Sequence, residues 1–198
     1  MARVISSFSM SLDGFVASPT DEVGPLFDWY DNGEVVIEWP GNGMVSRTTP
    51  QSADYLREMI RDCGAIVTGR RLFDYTDGWG GKHPAGVPIF VVTHRVPDGW
   101  PRPDLPVTFV TSGVAAAIEQ AKDCAGDKTV GVAGPNVVQQ CLALGLLDEV
   151  WIELVPVLLG EGIRYFDNLP PGTVTLYDPE VIEGKRVTHL RYRLTTPA

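Results

Sequence analysis

Cysteine, histidine and positive charge are all scarce in this chain. Cys63, Cys124 and Cys141 are the three cysteines, and they lie far apart without C-x-x-C spacing. An odd count so spaced excludes a disulfide framework and the common zinc patterns. His83, His94 and His189 fall in three separate segments and show no ligand spacing, so no metal site is expected. Lys and Arg number 16 against 25 Asp and Glu, a formal net charge of −9. Nucleic-acid binding needs a basic face, which this balance argues against. No apolar run approaches the roughly 18 residues of a membrane span. Serines interrupt the opening MARVISSFSMSLDG, so it does not read as a secretory leader. Together these absences predict a reduced, cytoplasmic protein whose partner is a small molecule.

Hydrophobic residues at 44% and charged residues at 21% are ordinary globular values, and 198 residues suffice for one core. The expectation is a single α/β domain over 1–198. Period-2 and period-3.6 segments alternate along it. Residues 3–10 read as a strand with Val4, Phe8 and Met10 on one parity. Further strands are read at 65–68, 88–93, 107–110, 129–133 and 149–158, with Pro156 marking a bulge or an edge. From Ser52 a helix carries Tyr55, Leu56, Met59, Ile60 and Cys63 on its apolar face. Two more helices carry Val114, Ile118 and Ala121, with Ser112 as N-cap, and Val137, Val138, Cys141 and Leu142. Residues 174–177 and 187–194 read as an antiparallel pair closing the sheet. Residues 19–48 form an insertion rich in Gly, Pro and aromatics, with a short hairpin around Val35–Glu38. An insertion this long in a compact domain points to function.

Open α/β sheets bind ligands at the carboxyl ends of their strands. Three strand ends here carry informative turns: Gly69-Arg70-Arg71-Leu72, Thr93-His94-Arg95 and Gly134-Pro135-Asn136-Val137. Glycine lets the backbone approach a diphosphate, and extra guanidinium groups suit a third phosphate, as on NADPH. Gly78–His83 does not make a phosphate loop, because Thr76 stands where the first glycine is needed and His83 follows Lys82. No strand leads into G-x-G-x-x-G either. Asp13, in an Asp-Gly turn, and Asp54, in the first turn of its helix, each have a plain structural explanation. Each is also a candidate carboxyl for orienting or protonating a heterocycle. Glu153 is a charge inside an apolar strand, on the parity of Trp151 and Val155, and reads first as edge-exposed.

SLDG at 11–14, AIVTGRRLF at 65–73, IFVVTHR at 89–95, VAGPNVV at 132–138 and GLLDEVWIELVPVLLGEG at 145–162 occur in an order that resembles one known family. It is the dihydrofolate-reductase-like family that includes the reductase (RibD C-terminal) domain of the riboflavin-biosynthesis deaminase–reductase. The resemblance implies a mixed sheet flanked by helices, with a C-terminal antiparallel hairpin and NADPH across the strand ends. By it Gly69, Arg70, Arg71 and Leu72 would hold phosphates, and Thr93, His94 and Arg95 would surround the adenosine phosphate. Gly134, Pro135, Asn136, Val137 and Val138 would meet the diphosphate, while Ser9, Val16 and Ala17 would approach the nicotinamide. Asp54 would be the catalytic acid, with Asp13, Phe27 and Glu153 beside the substrate.

The expected activity is NADPH-dependent hydride transfer to a pterin- or aminopyrimidine-like heterocycle. A 5-amino-6-(5-phosphoribosylamino)uracil reductase and a non-catalytic nucleotide-binding module are the alternatives. Val132 stands where the riboflavin enzymes tend to carry an acid, and Leu72-Phe73-Asp74-Tyr75 replaces their Thr-Asp-Asp-Pro. Pairing along 150–158 or the C-terminal strands would make a homodimer.

Overall fold

β1 (Val4–Ser11) sorts its side chains by parity. Val4 joins one apolar cluster, with Phe8 and Met10 packed against it. Ile5, Ser7 and Ser9 face the other way, so the serine-bearing parity is the one left for a site. The computed structural model of the protein describes residues 2–169, 171–172 and 174–195.

After β1 come β2 (Phe15–Ala17), a 3₁₀ turn (Gly24–Tyr30), the hairpin β3 (Val35–Glu38) and β4 (Val45–Thr48), and α1 (Pro50–Asp62). Then follow β5 (Cys63–Gly69), α2 (Arg70–Tyr75), β6 (Ile89–Val92), β7 (Val107–Val110), α3 (Val114–Ala125), β8 (Thr129–Ala133) and α4 (Pro135–Ala143). β9 (Glu149–Val155), β10 (Ile163–Arg164), β11 (Glu180–Gly184) and β12 (Val187–Arg193) complete the order. Eight strands form one sheet in the order β11-β12-β9-β1-β8-β5-β6-β7. Six of them, from β9 to β7, run parallel, and β12 and β11 add an antiparallel edge.

α3 and α4 cover one face, where Ala117, Ile118, Ala121, Val138 and Cys141 pack on Val4, Val67, Val130 and Val132. α1 and the 19–48 insertion cover part of the other. Leu26, Trp29, Ile37 and Trp39 pack there with Tyr55 and Leu56 of α1 against Ile5, Trp151 and Val187. The insertion therefore has a core of its own, built from the aromatics that made it look irregular.

Several expectations are corrected. The hairpin partner of β12 is β11 at 180–184 and not 174–177, which contributes an isolated bridge, Leu176 to Leu194. A two-residue turn at Lys185-Arg186 joins β11 to β12, with Arg186 at φ +57. β9 lies between β1 and β12 and is no edge, so 150–158 has no free flank for pairing with a second copy. Pro156 ends β9 instead of bulging it. Cys63 opens β5 and does not lie in α1, and Gly113, not Ser112, stands at the N-cap of α3.

Candidate functional site

Gly69 is the last residue of β5, and Thr93 and Gly134 directly follow β6 and β8, its parallel neighbours, so the structure gathers the three on one rim. A Cβ on Gly134 would lie 3.4 Å from the Gly69 amide nitrogen, and Gly134 sits at φ +94. The close approach and the backbone conformation both require glycine there. Arg70 Nη1 donates to the Arg95 carbonyl at 3.1 Å, and Thr93 Oγ1 donates to the same carbonyl at 2.8 Å. α4 starts immediately after Gly134 with Pro135, which has no N–H, and the Val137 and Val138 amides turn back onto the Gly134 carbonyl at 3.0 and 3.2 Å, which leaves the Asn136 amide without a partner, among the described residues, in this first turn. Arg70 Nε rests on Asp74 at 2.7 Å and Arg71 on Asp21 at 2.9 Å. Arg95 is exposed, and its guanidinium has no hydrogen bond or ion pair among the described residues.

The rim opens into a cleft of about 1140 Å³ that runs down the serine-bearing face of the sheet. Sites for one small molecule span roughly 300–1,000 Å³, so this cleft has space for two. Of the residues expected from sequence, Ser9, Val16, Ala17, Phe27 and Glu153 border it, as do Gly69 to Leu72, Thr93 to Arg95 and Gly134 to Val137. Val138 does not, because it is fully buried under α4. Ser9 is already engaged, its Oγ accepting from Trp29 Nε1 at 2.9 Å.

Two carboxyl assignments are corrected. Asp54 lies on the outer face of α1, is 79% exposed in its side chain and pairs with Arg57 at 3.1 Å, outside the cleft. The helical period explains the outcome: Tyr55, the next residue, takes the inward face. Asp13 accepts from Ser11 Oγ at 2.6 Å and from the Leu159 and Gly160 amides at 3.2 and 2.7 Å. These bonds hold its pKa down at about 2, the serine bond contributing most. Asp13 clasps the loop after β9 and does not border the cleft.

Glu153 is the carboxyl that does. It is 3% exposed, in the middle of β9, and lies in a cross-strand row with Ser9 of β1 and His189 of β12. Ser7 Oγ donates to Glu153 Oε1 at 2.6 Å, and the Tyr55 hydroxyl donates to the same oxygen. Oε2 has no hydrogen-bond partner among the described residues. Burial raises the Glu153 pKa above the ordinary carboxylate value, and the two hydroxyl bonds and the Arg191 charge only partly offset that. With Oε1 accepting both hydroxyls, a proton taken up by this carboxyl would sit on Oε2. A buried carboxyl of this kind is the type of group that can serve as a proton donor.

Sequence reasoning passed over the residues that hold Glu153. The helical period places Tyr55 in an apolar stripe, yet its hydroxyl reaches Glu153, and burial raises its pKa, so it stays a hydrogen donor. Its ring stacks on His189 at 4.1 Å, and Ser52 of α1 meets His189 Nε2 at 2.9 Å. Burial lowers the His189 pKa to about 4, so that ring is neutral. Arg191 lies over the Trp151 and Tyr55 rings at 4.3 and 4.9 Å and pairs with Glu58 at 3.0 Å. The available signal was the spacing Ser52, Tyr55, Met59, which puts two hydroxyls and a thioether on one helical face. Tyr30, Trp39 and Met44 of the insertion also border the cleft.

The comparisons agree with this architecture. Among solved structures, a protein of Shewanella sp. PV-4 described as a riboflavin biosynthesis protein matches at 22% identity with a TM-score of 0.71, covering 99% of this chain and 100% of that one. The riboflavin biosynthesis reductase of Saccharomyces cerevisiae matches at 16% identity and 0.61, covering 98% and 90%. An Enterococcus faecalis dihydrofolate reductase complexed with NADP(H) matches at 12% and 0.56, covering 98% and 97%. A search of curated protein sequences returns no match. The family model described as the RibD C-terminal domain matches residues 2–189, and the chain belongs to that family.

Proposed function

We propose that the protein is an NADPH-dependent reductase that adds a hydride and a proton across the C=N or C=O bond of a small heterocycle of pterin or aminopyrimidine type. One observation carries the reading: the glycine and arginine rim and Glu153, whose Oε2 lies outside its hydrogen bonds, border the same cleft. The residues present suit a dinucleotide. A Cβ at Gly134 would fill the space beside the Gly69 amide, and the Arg95 guanidinium is available for an adenosine phosphate. Gly69 and Gly134 to Val137 would hold the diphosphate, with Arg70 and Arg71 beside it. Val16 and Ala17 would bear on the nicotinamide.

NADPH, when bound, supplies the hydride. The chain supplies position, a dry wall and the proton. Glu153 holds that proton at Oε2 and delivers it to the ring heteroatom of the reducible bond, and solvent reprotonates the carboxylate afterwards. Ser7 and Tyr55 fix the carboxyl from the Oε1 side, so the donor stays in one orientation. Trp29, Tyr30 and Trp39 keep bulk water from the donor.

The test is a fluorescence titration of NADPH and NADH. Saturable NADPH binding is expected, and the paired change Arg70→Ala and Arg95→Ala should weaken NADPH at least about tenfold more than NADH, the loss of charge-assisted phosphate bonds. No saturable binding below millimolar NADPH overturns the proposal.

A further inference from the structure

The titratable neighbours of Glu153 among the described residues are Tyr55 of α1, Tyr30 of the 3₁₀ turn, Tyr165 just after β10, and His189 and Arg191 of β12. Burial raises the pKa of all three phenols and lowers that of His189 to about 4, so these four are neutral. Arg191 is the cation. Its guanidinium lies 4.3 Å from the centre of the Trp151 ring and 4.9 Å from that of Tyr55, whose hydroxyl donates to Glu153 Oε1. Nη1 and Nη2 form a fork on Glu58 at 3.2 and 3.0 Å, and Nη1 also meets Glu180 at 3.3 Å. Glu58 stands one helical turn after Tyr55, so α1 offers the ring and the counter-charge to β12 together.

The cation and its partners are buried unequally. The Arg191 side chain is 9% exposed, against 42% for Glu58 and 61% for Glu180. Water screens the two carboxylates more than the guanidinium, so the field reaching inward to Tyr55 and Glu153 is positive. Stability alone does not account for this arrangement. The buried Arg191 Nε has no hydrogen-bond partner among the described residues, and an apolar side chain of similar volume would pack on both rings without that cost. A positive charge over a phenol ring strengthens its O–H as a donor and favours negative charge on the oxygen that accepts it. We propose that Arg191 is a positioning residue: its cation, held over Tyr55 and balanced from outside by Glu58, sets how firmly Glu153 keeps its proton. Without that cation the carboxyl would hold the proton more tightly and give it up to a substrate less readily. The use of the proton rests on the reductase reading, whereas its control by Arg191 does not.

NMR titration of the whole chain, labelled with carbon-13 at the glutamate carboxyls, reads Glu153 directly, as the resonance lost in Glu153→Gln. Arg191→Met and Glu58→Gln break the same ion pair from its two sides. Glu153 should titrate at higher pH than in the wild type in Arg191→Met, and at lower pH in Glu58→Gln. Arg191→Lys keeps the charge and should stay closer to the wild type than Arg191→Met does. A merely structural pair would move Glu153 the same way whichever partner is removed, so shifts of one sign, or no shift in either variant, overturn the proposal. If Arg191→Met does not fold, Glu58→Gln, at a position partly open to water, decides alone, and an unchanged or upward titration overturns it. In turnover assays the alkaline limb of the kcat–pH profile should move with the carboxyl titration. Opposite carboxyl shifts in a protein that binds no NADPH uphold the role of Arg191 and overturn the reductase proposal instead.

Discussion

At the scale of single residues, the proposed chemistry turns on Glu153 and the hydroxyls on its Oε1. A proton donor with a raised pKa works below that pKa, so turnover should fall as pH rises through it. Glu153→Gln keeps the shape and removes the proton. Steady-state assays should show kcat down about 10²- to 10⁴-fold, the contribution typical of a positioned acid, while NADPH affinity stays unchanged. Tyr55→Phe removes a bond that favours the charged form, so the alkaline limb of the kcat–pH profile should move upward. A downward move would contradict the assignment. Asp54→Asn should leave turnover within about twofold, since an exposed ion pair contributes only a few tenths of a kcal/mol. The linkage to stability has a definite sign. The folded-state pKa of Glu153 lies above its unfolded value, so its contribution is fully present below the unfolded pKa and is lost as pH rises through the folded one. Thermal melts should therefore show Glu153→Gln gaining on the wild type as pH increases. Glu153 was visible in the sequence as a charge in an apolar strand. Its burial was not, because that depends on α1 and β12 arriving from 98 residues before it and 36 after.

Among the elements, the insertion and α1 pack together and wall the part of the cleft around Glu153. Trp39 is 7% exposed and its Nε1 donates to Ser46 Oγ at 2.9 Å, which ties β3 to β4. Trp39→Ala should cost about 3–5 kcal/mol in urea unfolding, the usual loss for a buried large aromatic, and should raise KM more than it lowers NADPH affinity. The α1 stripe, the six parallel strands and all three strand-end turns were legible, because each rests on local period or on glycine beside charge. The partner of β12 was not. Residues 174–177 alternate as an edge strand should, but the two-residue turn at Lys185-Arg186 set the register with 180–184 instead. Asp54 failed for a similar reason: a shift of one residue on a helix turns a side chain by about 100°, from the cleft to solvent.

At the scale of the whole molecule, the parallel sheet aligns its strand ends on one edge, and the switch from β1 to β9 and β8 lets one cleft run from that edge to Glu153. Arg70, Arg71 and Arg95 stand together on that rim, where the proposed anionic cofactor would bind. No helix among the described residues is long and apolar enough to cross a membrane. The most direct measurement is a crystal structure with NADPH. The account predicts the diphosphate against Gly69 and Gly134, the adenosine phosphate on Arg95 with Arg70, and the nicotinamide by Val16 and Ala17 on the Glu153 side of the cleft. A dinucleotide bound elsewhere, or a nicotinamide turned out of the cleft away from Glu153, would contradict it.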